Sequence, residues 1–180
     1  MIFLPDILTT IRFIITFFVF FSIGKNNLLT LFLLFIAFIT DILDGHIARK
    51  LGIQNREFGK AYDHLVDKLL VFVVIYGLVL YKNLPNWALI FFLMREFLLI
   101  IGVIFLWFYK MKIQGSNILG KISGVVFYLM VISYLFNLDI SFTMLIISIV
   151  FSLLAFLIYA IRGISEFYKY VVSNSSKVRY

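Results

Sequence analysis

Six apolar runs divide this chain into passes of similar length, roughly 7–24, 27–49, 60–81, 86–109, 117–136 and 140–161. Each is long enough for a helix to cross a hydrocarbon core ~30 Å thick, which takes ~20 residues. The runs are unbroken rather than alternating, so they predict helices, because a membrane-spanning barrel strand shows period-two hydropathy. Turn-forming residues separate them: Gly24-Lys25-Asn26-Asn27, Lys82-Asn83-Leu84-Pro85-Asn86, a stretch around Gly115, and Asn137-Leu138-Asp139. Composition agrees. Hydrophobic residues make up 63% and charged residues 14%, against roughly 45–50% and 25% in a soluble domain. The prediction is an all-α integral membrane protein with six transmembrane helices, forming a single domain over residues 1–180. No soluble domain fits in what remains. The first run lacks a basic leader and carries Arg12 inside it, so it reads as a retained helix rather than a cleaved signal. The polar stretch from Val171 to Tyr180 reads as a frayed tail. With no cysteine in the chain, disulfides, thiolate metal sites and a cysteine nucleophile are excluded.

Six passes return the chain to the side on which it began. On that side lie ten basic residues, Arg49, Lys50, Arg56, Lys60, Lys110, Lys112, Arg162, Lys169, Lys177 and Arg179, and on the other only Lys25 and Lys82. Positive residues stay on the cytoplasmic side, so both termini and the loop near residue 55 are predicted to face the cytoplasm from the inner membrane. The net charge of +7 therefore implies no nucleic-acid polymer. A basic face suits anionic membrane lipids and phosphorylated substrates.

Four aspartates, in a chain with only nine acidic residues, fall in one short stretch, DILDGHIARKLGIQNREFGKAYDHLVD, from Asp41 to Asp67. Asp41 and Asp44 share a face near the cytoplasmic end of the second helix, and Asp63 and Asp67 share one near the start of the third. Consecutive antiparallel helices bring the two pairs to similar depth. An aspartate at the centre of a spanning helix costs ~2.5–3.5 kcal/mol, so four together require positive charge between them. Arg49, Lys60 and Lys68 offer part of it, and a buried ion-pair network is one reading. The other is a site for hard divalent cations: carboxylates suit Mg²⁺, Mn²⁺ or Ca²⁺, and two-metal sites serve phosphoryl chemistry. Gly45, Ala48 and Gly59 leave the helices bare beside the carboxylates. Small residues commonly mark close helix packing, but beside Arg49, whose guanidinium can fork onto phosphate oxygens, they suit the walls of a nucleotide-diphosphate pocket. His46 and His64 sit in no nucleophile-base arrangement and receive no role.

The run Asp41-x2-Asp44-Gly45-x2-Ala48-Arg49, then Gly59-x3-Asp63-x3-Asp67, resembles the signature of the CDP-alcohol phosphatidyltransferase family. It departs in the nine residues between Arg49 and Gly59, one more than usual, a loop insertion that leaves helix register intact. The resemblance implies transfer of a phosphatidyl group from CDP-diacylglycerol to an alcohol, with release of CMP. It further implies that Asp41, Asp44, Asp63 and Asp67 hold two divalent cations, Mg²⁺ or Mn²⁺, with Asp67 the catalytic base. Gly45, Ala48, Arg49 and Gly59 would line the CDP pocket, and the chain would form a homodimer.

The start Leu4-Pro5-Asp6-Ile7-Leu8-Thr9-Thr10-Ile11-Arg12 is similar to the opening of the bacterial branch that uses glycerol 3-phosphate, with Asp6 in place of an asparagine. Arg95-Glu96 and Gly120-Lys121 also resemble that branch, whereas His64 stands where many of its members have proline. Lys121, Arg12 and Arg95 are accordingly candidates for binding the acceptor phosphate. For Arg12 and Lys121 the competing reading is snorkelling to lipid headgroups. Arg95 lies too deep for that, and Glu96, next to it, projects about 100° away around the helix. Phosphatidylglycerol, inositol phosphate and serine remain alternative acceptors. In a different class, a small cation transporter also concentrates aspartates between helices, but it calls for acids at mid-depth, and the opposite halves of helices two and three are almost wholly apolar.

Overall fold

A computed structural model describes residues 4–50, 57–109 and 118–177. These form six helices and no strand: α1 Leu4–Ile23, α2 Asn27–Lys50, α3 Glu57–Tyr81, α4 Asn86–Phe108, α5 Ile118–Leu135 and α6 Ser141–Lys177. Five match the predicted runs to within three residues at each end. The sixth continues sixteen residues past the predicted 161, through most of the tail expected to fray. Apolar length sets where a helix can sit in lipid, not where it stops. No proline interrupts α6, so nothing in its backbone ends it at the last apolar residue.

The helix ends follow from local chemistry. The two prolines, Pro5 and Pro85, stand in the first turn of α1 and just ahead of α4, where a missing N–H breaks no intrahelical bond. Asn26 caps α2, its side-chain oxygen accepting the Leu29 N–H at 3.0 Å. After α3 and after α5 the chain turns through Asn83 (φ 56°) and Asn137 (φ 50°), the residue type that best tolerates a left-handed backbone after glycine. At the second, Leu138 N–H donates to the Ser133 carbonyl and Asn137 N–H to that of Tyr134, the paired bonds that close a helix C-terminus. Ser141 then opens α6, its hydroxyl donating to the Ser133 carbonyl at 2.8 Å.

The chain divides into two compact units, Met1–Leu89 with Tyr134–Asn137, and Ile90–Ser133 with Leu138–Tyr180. In the first, α1 packs against both α2 and α3. Its buried line runs Thr9, Arg12, Thr16, Val19 and Ile23, while Ile7, Ile11, Ile14, Phe18 and Phe21 stay exposed on the opposite side. Both lines recur every three or four residues, as two faces of one helix must. An apolar outer face is what a helix against lipid presents. Facing α1 are Thr30, Leu34, Ala37 and Thr40 of α2, and Val66, Leu70, Val74 and Leu78 of α3, all buried. At Gly77 a Cβ would stand 2.5 Å from the tip of Ile23, so a side chain there would have to displace that buried tip.

In the second unit, Phe92 of α4 meets Phe127 of α5 edge-on with ring centroids 5.4 Å apart, and Phe105 of α4 meets Phe167 of α6 at 5.5 Å. Along α6, Leu145, Ser148, Ser152 and Ala155 form a buried line of mostly small residues, the kind that permits close packing of helices. Among the described residues, two helices are long and apolar enough to cross a membrane, Ile118–Leu135 and Ser141–Tyr168, with shorter apolar stretches at Ile7–Ile23 and Asn27–Leu43.

Candidate active site

The buried stripes of α2 and α3 change character at one end. On α2 the line Thr30, Leu34, Ala37 is continued by Asp41, and on α3 the line Leu78, Val74, Leu70 is continued by Asp67 and Asp63. The helical repeat that packs the apolar residues toward α1 therefore also directs the carboxylates there. One oxygen from each of Asp41, Asp63 and Asp67 lies within 4.8 Å of the other two. The meeting of the two acidic pairs predicted from spacing is thus realised for three of the four aspartates. The side chains of Asp44, Gly45, His46, Ala48, Arg49, Gly59 and His64 lie outside the described residues.

At the focus of the three carboxylates stands Arg12 of α1. Its Nη1 donates to Asp67 Oδ1 at 2.5 Å and to Asp63 Oδ1 at 2.8 Å, and lies 3.2 Å from Asp41 Oδ1. The Thr9 hydroxyl, one turn earlier on the same face, donates more weakly to Asp63 Oδ1 at 3.5 Å. The Thr16 hydroxyl caps the Arg12 carbonyl at 2.8 Å. The burial is asymmetric: the Arg12 side chain is 1% exposed, while those of Asp41, Asp63 and Asp67 are 50%, 36% and 38% exposed. The cation is enclosed and the carboxylates open outward. Snorkelling to headgroups does not describe this arginine.

Formal charge shows what the cluster still lacks. Among the described residues, three carboxylates converge on one guanidinium, so acid outnumbers base at the focus. The donor set is also suitable. Oxygens spaced within 4.8 Å can converge on an ion that binds oxygen at roughly 2.0–2.6 Å, and all-carboxylate sites favour hard cations. The residues therefore fit a divalent cation.

The other two acceptor candidates lie in the second unit. Lys121 is exposed on α5. Arg95 is largely buried and its Nη1 donates to Glu96 Oε1 at 2.6 Å, although the two side chains leave the helix in different directions. Long side chains can bend across that angle, and an unpaired buried guanidinium costs more than a bent rotamer. Arg95 Nε is buried without a hydrogen-bond partner among the described residues.

What spacing did not reveal is that Arg12 belongs with the aspartates. The signal available for it is the polar stripe Thr9, Arg12, Thr16 on an otherwise oily helix, the mark of a face turned to protein rather than lipid.

Residues 2–154 match the CDP-alcohol phosphatidyltransferase family. Among curated relatives, the CDP-diacylglycerol–glycerol-3-phosphate 3-phosphatidyltransferase of Bacillus subtilis (strain 168) is 38% identical over 101 residues, covering 56% of this chain and 51% of its own. The Aquifex aeolicus (strain VF5) protein of the same name is 31% identical over 176 residues, covering 92% of this chain and 98% of its own. A probable cardiolipin synthase (CMP-forming) from Drosophila melanogaster is 34% identical over 87 residues, which cover 48% of this chain and 27% of that protein. The chain thus spans about half of the Bacillus relative and nearly the whole of the Aquifex one. A match over residues 2–154 leaves no place for a transporter reading: the chain belongs to the CDP-alcohol phosphatidyltransferase family.

Proposed function

We propose that this protein transfers a phosphatidyl group from CDP-diacylglycerol to the hydroxyl of glycerol 3-phosphate, releasing CMP. The observation that carries this reading is the convergence of Asp41, Asp63 and Asp67 inside a chain that aligns, almost end to end, with an Aquifex relative named for that reaction. The acceptor oxygen forms a bond to the phosphorus of the phosphatidyl group. The bond from that phosphorus to the bridging oxygen of CMP breaks, and the acceptor's proton passes to the Asp67 carboxylate. Asp41, Asp44, Asp63 and Asp67 would hold two divalent ions, Mg²⁺ or Mn²⁺, whose chemistry here is to neutralise the diphosphate and the departing CMP. Gly45, Ala48 and Gly59 leave room for the nucleotide, and Arg49 pairs with the diphosphate. Lys121, Arg12 and Arg95 are the cations assigned to the acceptor's phosphate.

The same reading places all six helices across the inner membrane as one domain, with both termini and the carboxylates on the cytoplasmic side, and takes the working unit to be a homodimer. It is supported by the distribution of basic residues, ten against two, and by a family match that runs across both compact units. Purified protein with Mn²⁺ and CDP-diacylglycerol is expected to release CMP with glycerol 3-phosphate and far less with phosphatidylglycerol, inositol phosphate or serine. No CMP with any acceptor would remove the enzymatic reading. Release with phosphatidylglycerol alone would move the chain to cardiolipin synthesis, the activity for which the Drosophila relative is named.

A further inference from the structure

We infer that Arg12 is an internal counter-cation: without a divalent ion its guanidinium occupies the ion's position among the carboxylates, and ion binding expels it toward the open side of the cluster. The inference rests on the reading of Asp41, Asp63 and Asp67 as ion ligands, and concerns Arg12, whose guanidinium lies among them.

The first ground is geometric. Nη1 lies 2.5, 2.8 and 3.2 Å from an oxygen of Asp67, Asp63 and Asp41 respectively. It thus sits at the common focus of a cluster whose oxygens are within 4.8 Å of one another. A divalent ion bound by these oxygens at roughly 2.0–2.6 Å occupies the same focus, so the two cations exclude each other by volume before repulsion is counted. The second ground is the asymmetry of burial. Arg12 is enclosed, with 1% of its side chain exposed, whereas the carboxylates are a third to a half exposed. A guanidinium leaving the focus therefore has its free volume on the side where the carboxylates open. The third is that clustered carboxylates without a cation repel one another, so a site that must survive empty needs a resident positive charge. Arg12 provides it from α1, the helix that packs against both α2 and α3. Expelled from the focus, its forked donors face whatever anion enters the pocket, which couples loading of the ion to presentation of an arginine. In this role Arg12 is a positioning residue.

The test measures binding and stability rather than turnover. In detergent, Mn²⁺ affinity followed by the electron paramagnetic resonance of the free ion is expected to rise at least ~10-fold in Arg12→Gln, because the competing cation is gone. The Tm of the metal-free variant falls, and saturating Mn²⁺ restores most of the loss. Equal or weaker Mn²⁺ binding in Arg12→Gln overturns the inference, since an arginine that merely braces the ligands would support binding. The wild-type protein provides a measurement that does not depend on the variant folding. Reaction of Arg12 with phenylglyoxal, located by mass spectrometry, is slow without metal and accelerates with Mn²⁺; protection unchanged by Mn²⁺ overturns expulsion. If instead Mn²⁺ fails to bind the wild-type protein, or binds equally well to Asp63→Asn, it is the ion-site reading that fails.

Discussion

Replacing one oxygen of Asp67 by nitrogen keeps the shape of the side chain but removes its charge and its ability to take a proton. Asp67→Asn is expected to lower CMP release by ~10²–10⁴-fold, the usual contribution of a positioned general base, while binding of CDP-diacylglycerol falls far less. Parallel turnover and equilibrium-binding measurements separate the two, and near-normal turnover would assign the base elsewhere. Lys121, exposed on α5, is argued on a different parameter. Lys121→Ala should raise KM for glycerol 3-phosphate several-fold more than KM for the lipid donor, and equal changes would take Lys121 out of the acceptor site. At this scale the aspartates were legible because their spacing is a local property of two helices. The position of Arg12 was not: it pairs with residues 51 and 55 positions away, a contact decided by which face of α1 turns inward. The Arg95–Glu96 pair was hidden for the opposite reason. Neighbours in a helix diverge by about 100°, and only the length of the two side chains lets them meet.

Among the elements, α1 is the one on which the site depends, since it packs on α2 and α3 and carries Arg12. It meets α3 at Gly77, where a Cβ would stand 2.5 Å from the tip of Ile23, itself fully buried. Gly77→Val is predicted to destabilise the protein by ~1–3 kcal/mol through overpacking, read as a fall in Tm in detergent. Gly102→Ala, where a Cβ meets nothing within 4 Å, serves as the control and should leave Tm unchanged or slightly higher. Helix number and most boundaries were legible in hydropathy, because each break carries its own turn chemistry, as at Asn83 and Asn137. The true end of α6 was not, because a helix can outrun its apolar stretch. At ~1.5 Å per residue, its 37 residues reach ~55 Å, well beyond a hydrocarbon core of ~30 Å.

For the whole molecule, the proposed topology, six crossings with the carboxylates on the cytoplasmic side, makes a prediction. The chain has no cysteine, so single cysteines at Lys25, Lys50 and Asp139 report separately. Lys25→Cys and Asp139→Cys should react with an impermeant maleimide in intact cells, and Lys50→Cys only after the membrane is opened. Labelling of Lys50→Cys from outside would invert the orientation. The guanidinium held among carboxylates from two later helices also bears on how the chain is built. Because α1 is synthesised before α2 and α3, a membrane-inserted α1 would carry Arg12 into the bilayer ahead of Asp41, Asp63 and Asp67. Asp41 on α2 offers Arg12 its first partner, and the set is complete only when the third helix arrives, so on the proposed topology translocon exit of α1 is expected to wait for α3. Nascent chains arrested before Asp63 should therefore crosslink to the insertion machinery through α1, and chains extended beyond α3 should release it.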